Sequence, residues 1–356
     1  MAKRIVLIVC IILLVLAAAM CIATVCIMHD QFGRGEYPDP QLSAAYRYDP
    51  DYSSTHAREN VQFTSGKNTL QGYLYGMETA EPVGLLVFAH GIGAGHESYI
   101  NQLMWFADRG WWVFAYDATG SCTSEGSGTV GLVQSALDLD AAFQYVESDP
   151  RFEELPVCLL GHSWGGFAVT GVLNFDHRIT AVTSLSGYAY PLDMLDAGAV
   201  GAVGAPLAAV FRPFSHGYHR LMFGKNSGLN AVDGINRAGV PVLVIHGQDD
   251  TTVDYGTLSI LSHQGEITAP GAVFETITGD HAHHNDFFNG EAANACFDAY
   301  EETIAGLTEE YGGTLPDEVR AQEVAKLDKT VTNDYNRELL GRIEAFYLDA
   351  IAAAQE

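Results

Sequence analysis

Basic residues are scarce in this chain. Eighteen Lys and Arg stand against 44 Asp and Glu among 356 residues, for a formal net charge of −26. Such a surface repels phosphate backbones, which excludes nucleic acid as a partner, and it favours solubility without bearing on fold. Cysteine is sparse as well. Of six, Cys10, Cys21 and Cys26 fall in one apolar run, leaving Cys122, Cys158 and Cys296. Three cannot all pair, and their spacing matches no zinc site. Cys158 lies in an apolar strand pattern and reads as a small core residue. Internal repeats are lacking. Charge is wholly missing from Ile5 to Met28, 24 residues in a row.

That uncharged run has consequences. At ~1.5 Å per residue a helix of this length outreaches the ~30 Å hydrocarbon core of a bilayer. A secretory signal shares the Lys3–Arg4 flank and a small-residue site at Ala17–Ala19. Its apolar core spans only ~7–15 residues, however, and cleavage there would leave MCIATVCIM on the product. Lipoprotein processing is disfavoured by Met20 and Val25, which precede Cys21 and Cys26. Residues 1–30 therefore read as an uncleaved membrane anchor, with secretion after signal cleavage as the alternative. The acidic net charge offers no attraction to anionic lipid, so the helix alone is expected to hold the protein.

The 48% apolar content supports a sizeable core, and 356 residues fit one α/β domain with insertions. Residues 31–60 are polar and aperiodic and read as a linker, and 61–356 as the folded domain. VQFTSGKNTLQGYLYG forms a hairpin pattern, two alternating runs around Ser65-Gly66-Lys67-Asn68. Short apolar runs then alternate with helical ones: 84–90, a helix over 98–109, 111–117, a helix over 131–147, 157–162 with a helix after it, 179–187, 240–247 and 272–279. This alternation implies a mainly parallel sheet covered on both faces. Residues 188–239 carry no strand and are expected to form a cap. The tail from Glu291 is helical, with Leu340, Ile343, Phe346, Tyr347 and Ile351 on one stripe for packing on the sheet.

Chemistry concentrates at strand ends. GHSWGG sets Ser163 between a strand and a helix, flanked by glycines that let the backbone strain and neighbouring chains approach. Helix N–H groups beginning at Trp164 point at the same spot, where they suit a developing oxyanion. HGIGAG follows the strand GLLVFA and offers the Ile92 N–H as a second donor. A serine hydroxyl needs a base, and the base an orienting carboxylate. HGQDDTTVD supplies Asp249 or Asp250 after a later strand, and GDHAHHND supplies His281, His283 or His284 after the last. Asp254 is expected to start the next helix. Order and edge agree: Ser, Asp, His, each at a strand's carboxyl end. His90 and His162 read as structural, since one base suffices. GSGTVG at 126–131 begins nine residues after its strand closes, which rules out a dinucleotide fingerprint. A metal site is the competing reading of the HAHH run, but no Cys or acidic ligand cluster is evident near it in sequence.

Over roughly Val61 to Tyr347 the chain resembles the serine α/β-hydrolases, the broad group of esterases, lipases and serine-aminopeptidase-like enzymes. The resemblance rests on NTLQGYLYG, FAHGIGAG, YDATGSCTSEG, LLGHSWGG, PVLVIHGQDDTTV, HHND and the terminal RIEAFY. It implies the α/β-hydrolase fold with a small helical cap, Ser163 as nucleophile and no cofactor or metal. The family's acid stands three residues after the strand-end glycine, which selects Asp250 over Asp249. Its histidine precedes Asn or a small polar residue, which selects His284. The expected activity is hydrolysis of a small-molecule carboxylic ester. A serine aminopeptidase-like peptidase or amidase is the alternative, and an inactive anchored binding protein on the same fold is the other.

Topology follows from the flanking charges. Lys3 and Arg4 stay cytoplasmic, so everything beyond Asp30 is expected outside the cell. Protease added to intact cells should remove the full-length band while cytosolic markers survive. A protected domain would reverse the orientation.

Overall fold

The computed structural model describes residues 2–45 and 55–355. Eight strands form one sheet in the order β1-β2-β4-β3-β5-β6-β7-β8. They are β1 Glu59–Ser65, β2 Asn68–Tyr75, β3 Leu85–Ala89, β4 Trp112–Tyr116, β5 Val157–His162, β6 Ala181–Leu185, β7 Val242–Gly247 and β8 Ala272–Ile277. The expected hairpin is there, turning at Gly66 with φ 58° and pairing Ser65 with Asn68. β2 runs antiparallel to β4, and every pair from β4 to β8 is parallel. The strands β3, β5 and β6 are buried at every position, which their unbroken apolar runs require of a sheet covered on both sides.

Two cores result. On one face lie α3 (Gln134–Ser148), α4 (Trp164–Gly171) and α7 (Ala231–Ala238), with Leu139, Phe143, Phe167 and Ile235 against Val87, Leu159 and Val244. On the other lie α2 (Ile100–Ala107) and the last helix, α11 (Arg337–Ala354). The stripe Leu340, Ile343 and Tyr347 is buried there as its spacing demanded, and the Tyr347 hydroxyl donates to Leu159 O at 2.6 Å. Parallel pairing sends the carboxyl ends of β3, β5, β7 and β8 to one edge, the edge that carries the site.

Two boundaries differ from the sequence reading. The cap is shorter than 188–239. Its body is a helical hairpin, α5 (Pro191–Val203) and α6 (Ala205–Phe223), whereas Tyr188, Ala189 and α7 belong to the core. The segment read as a linker over 31–60 is docked along its first part. The N-terminal helix α1 runs Ala2–Gln31, and Gly33 and Gly35 then bridge to Gly128 and Ser121. Arg34 donates to the carbonyls of Cys122, Ser124 and Gly126, and Tyr37 OH lies 2.9 Å from both Asp117 carboxylate oxygens. Gly128 in the GSGTVG stretch serves this docking: a Cβ there would stand 2.2 Å from Phe32 O. Positions 46–54 of the linker lie outside the described residues.

Arg34 satisfies three carbonyls of the loop after β4, so Arg34→Ala leaves them short of partners. A loss of about 1–3 kcal/mol is expected in denaturant unfolding, with faster cleavage of the 31–45 segment in limited proteolysis. Unchanged stability would mean that the segment is not held by these bonds.

Candidate functional site

The turn after β5 is built by exclusion. Ser163 has φ 59° and ψ −114°, a conformation costly for a residue with a Cβ. The glycines around it are not the strained residues. They lack room: a Cβ on Gly161 would lie 2.1 Å from Gly165 O, on Gly165 1.9 Å from Ala89 O, and on Gly166 2.7 Å from Leu185 O. The elbow is therefore wedged between β3 and β6, and its backbone is pinned from below by Ser163 N–H donating to Leu185 O at 2.8 Å. The hydroxyl sits at the start of α4, whose first N–H, on Trp164, has no carbonyl a turn behind it. The loop carrying Ile92 passes beside the elbow, since a Cβ on Gly91 would lie 3.6 Å from His162 O.

Of the three histidines in the last loop, one faces an acid in the core. His284 Nδ1 lies 2.6 Å from Asp250 Oδ2, with His284 largely enclosed and Asp250 fully buried. With that nitrogen donating, Nε2 is left free to accept a proton. His281 turns outward, 3.8 Å from the exposed Asp298, and His283 Nδ1 lies 3.0 Å from Asp249 O. Asp249 itself is exposed. The structure thus joins His284 to Asp250 at the sheet edge where β5 ends in Ser163, and turns the other candidates toward the surface. Asp254 departs from its expected role. It sits in a run of turns rather than at a helix start, where it accepts from Thr257 Oγ1 at 2.6 Å.

Asp250 is elaborately held. Oδ1 accepts the N–H groups of Thr252 at 2.9 Å and Val253 at 3.0 Å, while Oδ2 also meets His246 Nε2 at 3.0 Å. Burial alone would push the carboxyl up, but the bonds from His246 and His284 outweigh it and hold Asp250 well below the usual carboxylate range. His246 was not singled out from the sequence; the only signal was its place at the end of β7.

A second set of contacts ties the loops together. Gly91 N–H donates to the Tyr99 hydroxyl at 3.2 Å, Tyr99 OH lies 2.8 Å from His162 Nδ1, and His162 Nε2 lies 3.0 Å from His284 O. For this chain His162 must be neutral, and burial lowers its pKa to about 3. The residue before the elbow serine thus links the loop of Ile92 to the loop of His284. His90 is structural too, with Nδ1 2.8 Å from Gly91 O and Nε2 accepting from Ala118 N–H at 2.9 Å. A buried pair that the sequence did not suggest, His96 and Asp117 at 3.0 Å, closes the other side of this loop. Among the described residues no cluster of His, Cys, Asp or Glu could hold a metal ion. Among the described residues no hydrogen bond joins Ser163 Oγ to His284 Nε2.

Comparison with known proteins bears on the fold. Residues 80–195 match the family described as serine aminopeptidase, S33. A polyketide transferase from a Penicillium species is 25% identical over 138 residues, 38% of this chain, and the match spans about half (46%) of that relative. An esterase from Pyrococcus furiosus superposes with a TM-score of 0.53 at 17% identity, covering 78% of this chain and 98% of the other. A second crystal form of the same esterase gives 0.52 at 16% identity over 77% and 98%. At that identity the structural likeness speaks for the fold: it is the α/β-hydrolase fold.

Three expectations follow. His284→Ala should lose hydrolytic rate by ~10³-fold or more, while His281→Ala and His283→Ala keep most of it; the largest loss at either of those two would move the base there. Gly165→Ala should cost about 1–3 kcal/mol in thermal unfolding, because its Cβ meets a backbone oxygen. Asp250 has a depressed pKa, so its contribution to stability is full above the ordinary carboxylate value of about 4 and is lost as pH falls through the folded value. Acid unfolding of Asp250→Asn should lack that component, and an unchanged acid limb would contradict the assignment.

Proposed function

We propose that this chain, which has the α/β-hydrolase fold, is a hydrolase that cleaves carboxylic esters through an acyl-enzyme on Ser163. The observation that carries the reading is the buried His284–Asp250 contact of 2.6 Å beside a serine held at φ 59°. Ser163 Oγ attacks the substrate carbonyl carbon and passes its proton to His284 Nε2. Asp250 orients the ring and stabilises the imidazolium. The N–H groups of Ile92 and Trp164 receive the oxyanion. The tetrahedral species expels the alcohol, which takes the proton from His284. Water, deprotonated by the same nitrogen, then releases the acid and restores the serine. The cycle needs no cofactor and no metal.

An ester is favoured because an alcohol leaves more readily than an amine. A second reading, cleavage of an amide or an N-terminal peptide bond, draws on the family description matched by residues 80–195. The domain is held at the outer face of the cell membrane by α1, whose apolar window has a mean hydropathy of 3.5.

Ser163→Ala should abolish both turnover and labelling by a fluorophosphonate probe without loss of fold, measured by circular dichroism. Retained activity would remove Ser163 from the mechanism, and a wild-type protein that neither labels nor turns over would identify an inactive scaffold. Assayed in parallel, p-nitrophenyl esters should be turned over faster than aminoacyl anilides; the reverse order would establish the peptidase reading.

A further inference from the structure

The cap hairpin presents a surface that the acidic domain below it does not share. From Ala197 to Val232 the chain carries no Asp or Glu, 36 residues in a protein that has 44 acids overall. The first fifteen, AGAVGAVGAPLAAVF, contain neither a charge nor a polar side chain. They form the end of α5, the turn at Gly204 and the start of α6, and they are not packed away. Val200, Val203, Leu207 and Val210 are each 43–54% exposed, and Leu221 and Met222 near the other end of α6 are 82% and 46% exposed. Exposed aliphatic groups scattered singly need no explanation, but a continuous apolar tip does. Arg212, beside the tip, is paired with Asp196 at 2.8 Å, while Arg220 and Lys225 stand at the base of the hairpin. An apolar tip with basic groups at its base matches the layering of a bilayer surface, acyl chains first and phosphates next.

The position of α1 identifies the partner. Met28 and Phe32 lie together with Leu195, Tyr218, His219 and Phe223, and Thr24, one turn nearer the N-terminus, is buried on the same face of α1. The 24-residue apolar run ends at Met28, so the turns of α1 that touch α6 are those that leave the membrane. A hairpin packed beside them cannot be remote from lipid.

We propose that the tip of this hairpin, Val200–Val210, is seated in the acyl-chain interface of the bilayer that α1 crosses, with Arg220 and Lys225 at the phosphates. The proposal rests on the reading of α1 as a membrane span. On this proposal α1 does not hold the protein alone, because the acidic net charge of the chain is not shared by the hairpin, where Asp193 and Asp196 are balanced by Arg212 and Arg220. It also gives the cap a role in substrate supply: its tip touches the phase in which apolar esters dissolve.

The full chain, reconstituted in phosphatidylcholine–phosphatidylglycerol vesicles, tests this. In a background with Cys10→Ala, Cys21→Ala, Cys26→Ala and Cys296→Ala, a nitrobenzoxadiazole fluorophore is attached at Val203→Cys, Leu14→Cys or Glu154→Cys. Expected are blue-shifted emission at positions 14 and 203, quenching of both by doxyl-labelled lipid, and neither effect at 154. Quenching at 14 without quenching at 203 overturns the seated tip and leaves the anchor intact. A blue shift at 203 that lipid-borne quencher does not touch means that protein covers the tip, which also overturns it. Failure of quenching at 14 removes the anchor reading and the proposal with it. Leu207→Asp with Val210→Asp should abolish the quenching at 203 while turnover of a short water-soluble ester is retained.

Discussion

Everything at the active edge depends on backbone passing backbone at the elbow between β5 and α4. Gly161, Gly165 and Gly166 each sit where a Cβ would fall 1.9–2.7 Å from a neighbouring carbonyl oxygen. That closeness wedges the turn against β3 on one side and β6 on the other. Only with both neighbours in place is Ser163 forced into its left-handed conformation, and only then does its side chain stand clear at the helix start. The strain is local, but what sustains it is the whole centre of the sheet.

Around that fixed point the other groups are positioned by polar contacts buried away from water, where a missing partner is costly. Asp250 is fixed by two backbone N–H groups and the His284 ring, with His246 Nε2 close by and donating to Val253 O, and His284 is fixed at its ring by Asp250 and at its carbonyl by His162. His162 in turn reaches the loop of Ile92 through Tyr99. Displacement of one loop is therefore felt in the others.

The segment after α1 adds a constraint of a different kind. Tyr37 inserts beside Asp117 and His96, directly beneath the loop that follows β3, and Arg34 grips the loop that follows β4. α1, the docked segment and the helical hairpin thus meet on one side of the domain, so α1 is joined to the domain by packing as well as by the chain.

The sequence by itself determined the alternating layers, the parallel sheet and the order of serine, aspartate and histidine at successive strand ends, because hydrophobic period and glycine spacing are local signals. It also determined the stripe of α11, which packs as its spacing requires. It misjudged the ends of the cap and the freedom of residues 31–45. α7 and Tyr37 bury themselves against elements distant in the chain, and no local pattern reports that. The choice among His281, His283 and His284 came from a resemblance; the geometry that separates them, one ring turned to Asp250 and two turned outward, was decided by tertiary structure. So were His246 and the Tyr99–His162 link. A histidine at a strand end looks the same in sequence whether it lines a core or steadies a carboxylate, because its role is set by which side chain stands opposite, and only folding chooses that neighbour.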